Sequence, residues 1–226
     1  MSSPRAISSL FCRAVAPVCV VALAACSSGG SKPAANNSKP SAQKITVPGA
    51  HVELRLASID VQSAGSSTAL DDKTKLAVMT QARQYVEEAI VRPLMTGNKV
   101  KHSYTQMFGP ALTSAVTRNP DRGALTDEAV GKVTGDLTAP STPVAMHALI
   151  DTNGSMQYIA TNFTLRLHSK LGAAALTIRR TTELTFERTP KGKWLVGAYR
   201  VIATRKTGAA SAPSTSKATS KTTEKP

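Results

Sequence analysis

The chain has 226 residues, with 28 Lys and Arg against 14 Asp and Glu, and a formal charge of +14. That length suits one ordinary domain with extensions, and the charge favours anionic surroundings: lipid headgroups, wall polymers or nucleic acid. Cys12, Cys19 and Cys26 are the only cysteines, so everything after Cys26 is without an intrachain disulfide or a thiolate metal site.

The N-terminus reads as an export address. Arg5 and Arg13 form a cationic start without acids, and Ala14–Ala25 is an apolar run of 12 residues. A bilayer-spanning helix needs about 20. Arg13 stops extension of the run on one side and Ser27, Ser28, Gly29 and Gly30 on the other. The stretch Leu23-Ala24-Ala25-Cys26 resembles the lipobox of bacterial lipoproteins. The resemblance implies transfer of diacylglycerol to the Cys26 sulfur and cleavage before it. Residues 1–25 are then a signal peptide that removes Cys12 and Cys19, and Cys26 is the lipidation site. Two acyl chains anchor stably where one does not.

Residues 26–45 are rich in Ser, Gly, Pro, Asn and Ala, which predicts a flexible linker behind the lipid anchor. Residues 207–226 repeat that composition with Lys217, Lys221 and Lys225, which predicts a disordered basic tail.

Between them, residues 46–206 form a single domain. Val52–Val61 reads as a first strand. Asp71 and Asp72 suit the start of a helix in which Leu76, Met79, Ala82 or Arg83, Val86 and Ile90 make one apolar stripe, with Pro93 and Gly97 marking its end. Tyr104, Met107, Phe108, Leu112 and Val116 share the face of a second helical region that Gly109-Pro110 breaks. Residues 117–136 read as a polar loop with a helical turn after Thr126. From Pro143 the period becomes two, predicting strands at Val144–Ile150, Met156–His168, Ala174–Arg188 and Trp194–Arg205. Asn153-Gly154 and residues 190–193 read as hairpin turns. The first turn places Met146, Ala148 and Ile150 on one face with Ile159, Thr161, Phe163 and Leu165. The opposite face carries His147, Leu149, Tyr158, Asn162, Thr164 and Arg166. The second turn pairs Glu183 with Arg200, and puts Leu184, Phe186, Leu195, Tyr199 and Val201 on the other face.

Two helical segments followed by an antiparallel run ending in the stretch Gly192–Lys206, which opens Gly192-Lys193-Trp194, resemble the nuclear transport factor 2-like fold. The last strand, with Trp194, Tyr199 and Val201, and the stretches Met107–Leu112 and Asn119–Glu128 are similar to actinobacterial members such as Mce-associated proteins and small secreted lipoproteins. The resemblance implies an α+β fold in which N-terminal helices pack on a bent antiparallel sheet of four to five strands, shaped as a cone. Many members are non-catalytic.

No catalytic set, phosphate loop or paired carboxylates stand out, and the four His are isolated, so neither a metal nor a cofactor is expected. His147, Tyr158, Asn162 and Arg166 are a candidate pocket if their face lines the cone; otherwise they are a solvated sheet face. Nine aromatics, none interleaved with basic residues, argue against nucleic acid. The expected function is a lipid-anchored, extracytoplasmic interaction or accessory module of the cell envelope, meeting anionic polymers or lipids and an envelope protein partner. The alternative is a small-molecule binder or an enzyme using the domain's cavity.

Overall fold

The computed structural model describes residues 42–64, 69–153 and 155–208. Within them, strands β1 (Ala42–Lys44), β2 (Ala50–His51), β3 (Glu53–Ser63), β4 (Leu137–Thr138), β5 (Thr142–Ile150), β6 (Met156–Leu171), β7 (Ala174–Arg188) and β8 (Trp194–Gly208) form one sheet. Across it the order is β1, β3, β5, β6, β7, β8. β2 and β4 precede β3 and β5 after short breaks and pair with each other in parallel. β4 also meets β6 at Thr138–His168. The sheet curls into a nearly closed barrel.

This corrects the expected α+β architecture. Helices do not pack on an antiparallel sheet of four to five strands in a cone; an eight-stranded barrel-like sheet dominates. The hairpins from β5 to β8 are antiparallel as expected. β3, however, runs parallel to β5, with Leu54 beside Thr142 and Val61 beside Ala148. Hairpin signals are local and reveal β5 to β8. A parallel partner nearly ninety residues away leaves no such signal.

The register places apolar residues on the inner face. Val144, Met146 and Ala148 pair with Phe163, Thr161 and Ile159, and all six are buried. β6 and β7 are joined through Gly172, whose φ of 62° suits a two-residue turn. Glu183 stands opposite Arg200 as the turn at 190–193 implies. Beyond Thr185 the register shifts, because Ala198 pairs with Thr185 and Val196 with Phe186. Gly197 is thus an extra residue, and such a bulge exchanges the two faces. Trp194 and Val196 turn inward, while Leu195 sits beside Glu187 and not, as the regular register predicts, with Phe186.

One helical run closes against the inner side of the sheet, touching β1, β3 and β8. It comprises α1 (Asp72–Tyr85), a π-helical stretch at Val86–Val91 and α2 (Arg92–Thr96). Asp71 caps it, its carboxylate accepting from the Thr74 N–H at 2.8 Å and the Thr74 hydroxyl at 2.7 Å. Leu76 is 51% exposed and lies outside the apolar stripe, which runs instead through Val78, Met79, Ala82 and Tyr85. Proline usually stops a helix because its ring meets the carbonyl four residues back and it brings no N–H. Here the wide turn, in which the Arg92 N–H donates to Glu87 O, carries the chain past Pro93. The run ends at Gly97, left-handed at φ 71°, whose N–H donates to Pro93 O at 2.8 Å.

A 3₁₀ segment at His102–Met107 and helix α3 (Pro110–Val116) follow, with Tyr104, Met107, Phe108 and Val116 buried. Helix α4 (Asp121–Leu125) and a 3₁₀ turn at Glu128–Val130 occupy the stretch expected as a polar loop. Phe108 stacks edge-on against Tyr104 and Tyr199, at 5.8 and 5.9 Å between ring centres, joining this layer to β8.

Candidate functional site

The four candidate pocket residues lie on the outward face of the sheet. Tyr158 is 43% exposed. The side chain of His147 is about half exposed, with Nδ1 3.5 Å from an Asp60 carboxylate oxygen on the neighbouring strand. Asn162 is half-buried and Arg166 exposed. Ala145 stands opposite Asn162, Leu149 opposite Tyr158, and His147 between them on β5. Arg166 is four residues further along β6, about 13 Å away. The interior they were candidates to line is filled from the other face of the same strands by Met146, Ile159, Phe163 and Leu165. Cys26, the linker up to residue 41 and the tail from residue 209 lie outside the described residues.

Inside the barrel is a polar cluster that composition does not advertise. Its geometry starts at Pro93. Lacking an N–H, Pro93 leaves the Ala89 carbonyl without its helical donor, and the Asp127 N–H takes that place at 3.2 Å. This bond holds Asp127 against the helix and turns its carboxylate towards the sheet. Arg180, inward on β7, donates to one carboxylate oxygen at 3.0 Å and to the Ala124 carbonyl at 2.5 Å. Arg205, inward on β8, donates to the other oxygen at 2.8 Å and to the Thr126 carbonyl at 3.1 Å. The Tyr85 hydroxyl donates to Leu125 O at 2.7 Å. Burial pushes the Tyr85 phenol above its ordinary value, against a smaller opposing pull from Arg180.

Both oxygens of Asp127 are therefore held by guanidinium groups, so the carboxylate is a clamp between β7, β8 and the segment after α4. Arg180 Nε and Thr182 Oγ1 are buried there without a hydrogen-bond partner. One signal in the sequence bears on this cluster. Strand alternation forces one member of the Arg179-Arg180 pair inward, and a buried arginine demands a carboxylate. Which carboxylate answers it is set by the turn at Pro93, beyond the reach of periodicity.

Two further clusters flank the helical run. Glu87 receives Arg83 and Arg92, each at 2.6 Å. Arg122 grips Glu128 with two bonds, Nε at 2.6 Å and Nη2 at 2.8 Å, while the Val100 N–H donates to the same carboxylate. The guanidinium contact holds the Glu128 carboxyl below its ordinary value and raises Arg122.

At the hairpin end of the barrel an open cleft of about 730 Å³ is bounded by Asp71, Thr74, Ile150, Met156, Arg188 and Trp194, among others. Asp71 is already engaged by Thr74, which lowers its carboxyl. Of its lining, Arg188 is exposed and Trp194 is buried. Among the described residues no set of three His, Cys, Asp or Glu is placed to hold a metal, and no helix is long and apolar enough to cross a membrane. Comparison with protein-family models, curated proteins and solved structures finds no match to this chain.

Proposed function

We propose that the chain is a lipid-anchored extracytoplasmic module of a bacterial cell envelope that acts by binding an envelope partner. The observation that carries this reading is Leu23-Ala24-Ala25-Cys26 placed between a 12-residue apolar run and a Ser/Gly stretch. Two acyl chains on Cys26 would hold the protein at the membrane. The accessory role is supported by a barrel interior occupied by its own side chains and by a buried Asp127 carboxylate both of whose oxygens are engaged. A second reading, a small-molecule binder, draws on the cleft beside Arg188 and Trp194.

The test is Cys26→Ser in the native host. Loss of fatty-acid labelling and retention of the unprocessed precursor are expected; unchanged mature mass and unchanged membrane retention refute the anchor. Crosslinking of the intact protein in its own membrane, read by mass spectrometry, identifies the partner. A small molecule that shields Trp194 fluorescence, with no protein crosslink, selects the second reading.

A further inference from the structure

The outward face of β6, β7 and β8 changes character along its length. Arg166 stands directly opposite Arg179, and Arg179 opposite Thr204. One rung further, Thr177 stands between His168 and Lys206. At the next, Lys170 faces Ala175. Arg166, Lys170, Arg179 and Lys206 are all exposed, and no carboxylate occurs on these rungs of the three strands. Among the described residues none of the four forms an ion pair. The first acid along β7, Glu183, is two rungs beyond Arg179 and faces Arg200. Like charges directly opposite on neighbouring strands, with Cβ atoms about 5 Å apart, oppose sheet formation. An anion that bridges Arg166 and Arg179 removes that penalty.

The chain's own ends indicate which anion. β8 finishes at Gly208, opposite Ala175, on this same end of the sheet. The chain enters at Ala42 in β1, which pairs with the start of β3, itself beside the start of β5 and so beside the half of β6 that bears Arg166. Only residues 27–41 separate Cys26 from Ala42, and fifteen residues span at most about 50 Å. An acyl chain on Cys26 would therefore hold Ala42, and with it this end of the sheet, within about 50 Å of a bilayer.

We propose that the Arg166–Arg179–Lys206 end of the outward face is the surface by which the domain docks on an anionic bilayer, in its choice of occupant resting on the lipid-anchor reading above. Headgroup phosphates sit between the two arginines and against Lys170 and Lys206, and the attraction falls with salt.

The full-length chain is mixed with vesicles of phosphatidylcholine alone, or of phosphatidylcholine and phosphatidylglycerol in equal parts, and sedimented. Acyl chains or an apolar leader insert into either, so the ratio of the two affinities reports the charged face. Each Lys or Arg near an anionic surface strengthens binding about fivefold. Arg166→Gln with Arg179→Gln is expected to cut the preference for phosphatidylglycerol about 25-fold. Its melting temperature should stay level or rise, since a repulsive pair is gone. Lys191→Gln with Lys193→Gln removes the same charge from the turn at the opposite end and is expected to leave the preference unchanged. An equal loss in both double variants, a preference that survives Arg166→Gln with Arg179→Gln, or no preference in the parent chain overturns the proposal. So does binding to an insoluble anionic wall polymer without any vesicle preference. Fatty-acid labelling in cells is scored separately: an unlabelled chain that keeps its preference refutes the anchor alone, and a labelled chain without preference refutes the docking face alone.

Discussion

Arg180 and Asp127 form an ion pair at 3.0 Å with neither side chain exposed, joining β7 to a residue 53 positions earlier in the chain. Arg205 completes the arrangement from β8, with its side chain 35% exposed. Breaking a buried pair by deleting one partner leaves an uncompensated charge and costs about 3–5 kcal/mol. Asp127→Ala should therefore lower stability by about that amount in urea titration. Arg205→Met should cost less, because Arg180 still satisfies the carboxylate and the lost guanidinium was partly in water. Equal costs for the two variants would show that the clamp does not depend on Arg180.

Alkaline pH should loosen the fold through its buried phenols. Burial raises Tyr104 from 10.0 to about 12, and Tyr85 also lies above its ordinary value. A raised folded value means the unfolded chain releases the proton first, so the stability is whole below pH 10 and is lost as pH rises towards 12. Melting temperature should fall across that window. In Tyr104→Phe the fall should shrink. The variant should also start about 1 kcal/mol lower at neutral pH, because the Tyr104 hydroxyl donates to Val116 O.

The Arg122–Glu128 pair should act at the other end of the scale. Glu128 lies below its ordinary 4.5, first because Arg122 bonds it and then against an opposing effect of burial. A depressed folded value contributes stability above the unfolded value that disappears as pH falls through the folded one. Arg122→Gln should therefore flatten the acid limb of a stability–pH curve below about pH 4.5. An acid limb identical to that of the parent would remove this pair from the account.

Gly97 and Gly172 both have positive φ, at 71° and 62°. A Cβ at Gly97 would also meet Lys132 Cβ at 2.8 Å, whereas a Cβ at Gly172 meets nothing within 4 Å. Both Ala variants should lose more than about 1 kcal/mol to backbone strain, with Gly97→Ala losing more. Thermal melts of the two, run side by side, separate the steric part from the conformational part.

The strands β5 to β8 were legible because their alternation is regular and their turns carry Asn-Gly, Gly172 and Pro-Lys-Gly-Lys. The pairing of Glu183 with Arg200 is counted from a turn at 190–193 that would put Thr189 opposite Trp194; the strands close instead with Arg188 opposite Trp194, and the extra residue at Gly197 offsets that difference. Counting fails at Gly197, where one extra residue moves Leu195 to the other face and brings Trp194 into the core. The helix beginning after Asp71 was legible in its cap, but not in its reach past Pro93, since the wide turn that admits the proline has no periodic signature. The barrel was hidden for a related reason: β3 finds its parallel partner across the whole helical segment. As for the site, alternation along β5 and β6 grouped His147, Tyr158, Asn162 and Arg166 on one face. Whether that face looked in or out depended on curvature, which no window of residues encodes.

The parallel contact of β3 with β5 also has a temporal side. Glu53 and Ser141 touch across 88 positions, whereas β5 to β8 close through short turns. Closing a long loop costs entropy before any contact offsets it, so the hairpins should assemble first, and pulsed hydrogen exchange should protect amides of β6 and β7 ahead of those of β3. A ribosome delivers the chain in the opposite order. β3, made long before β5, thus waits for its parallel partner until the helical segment and β5 have followed it, and its unbonded edge is the part of the nascent protein most in need of an escort.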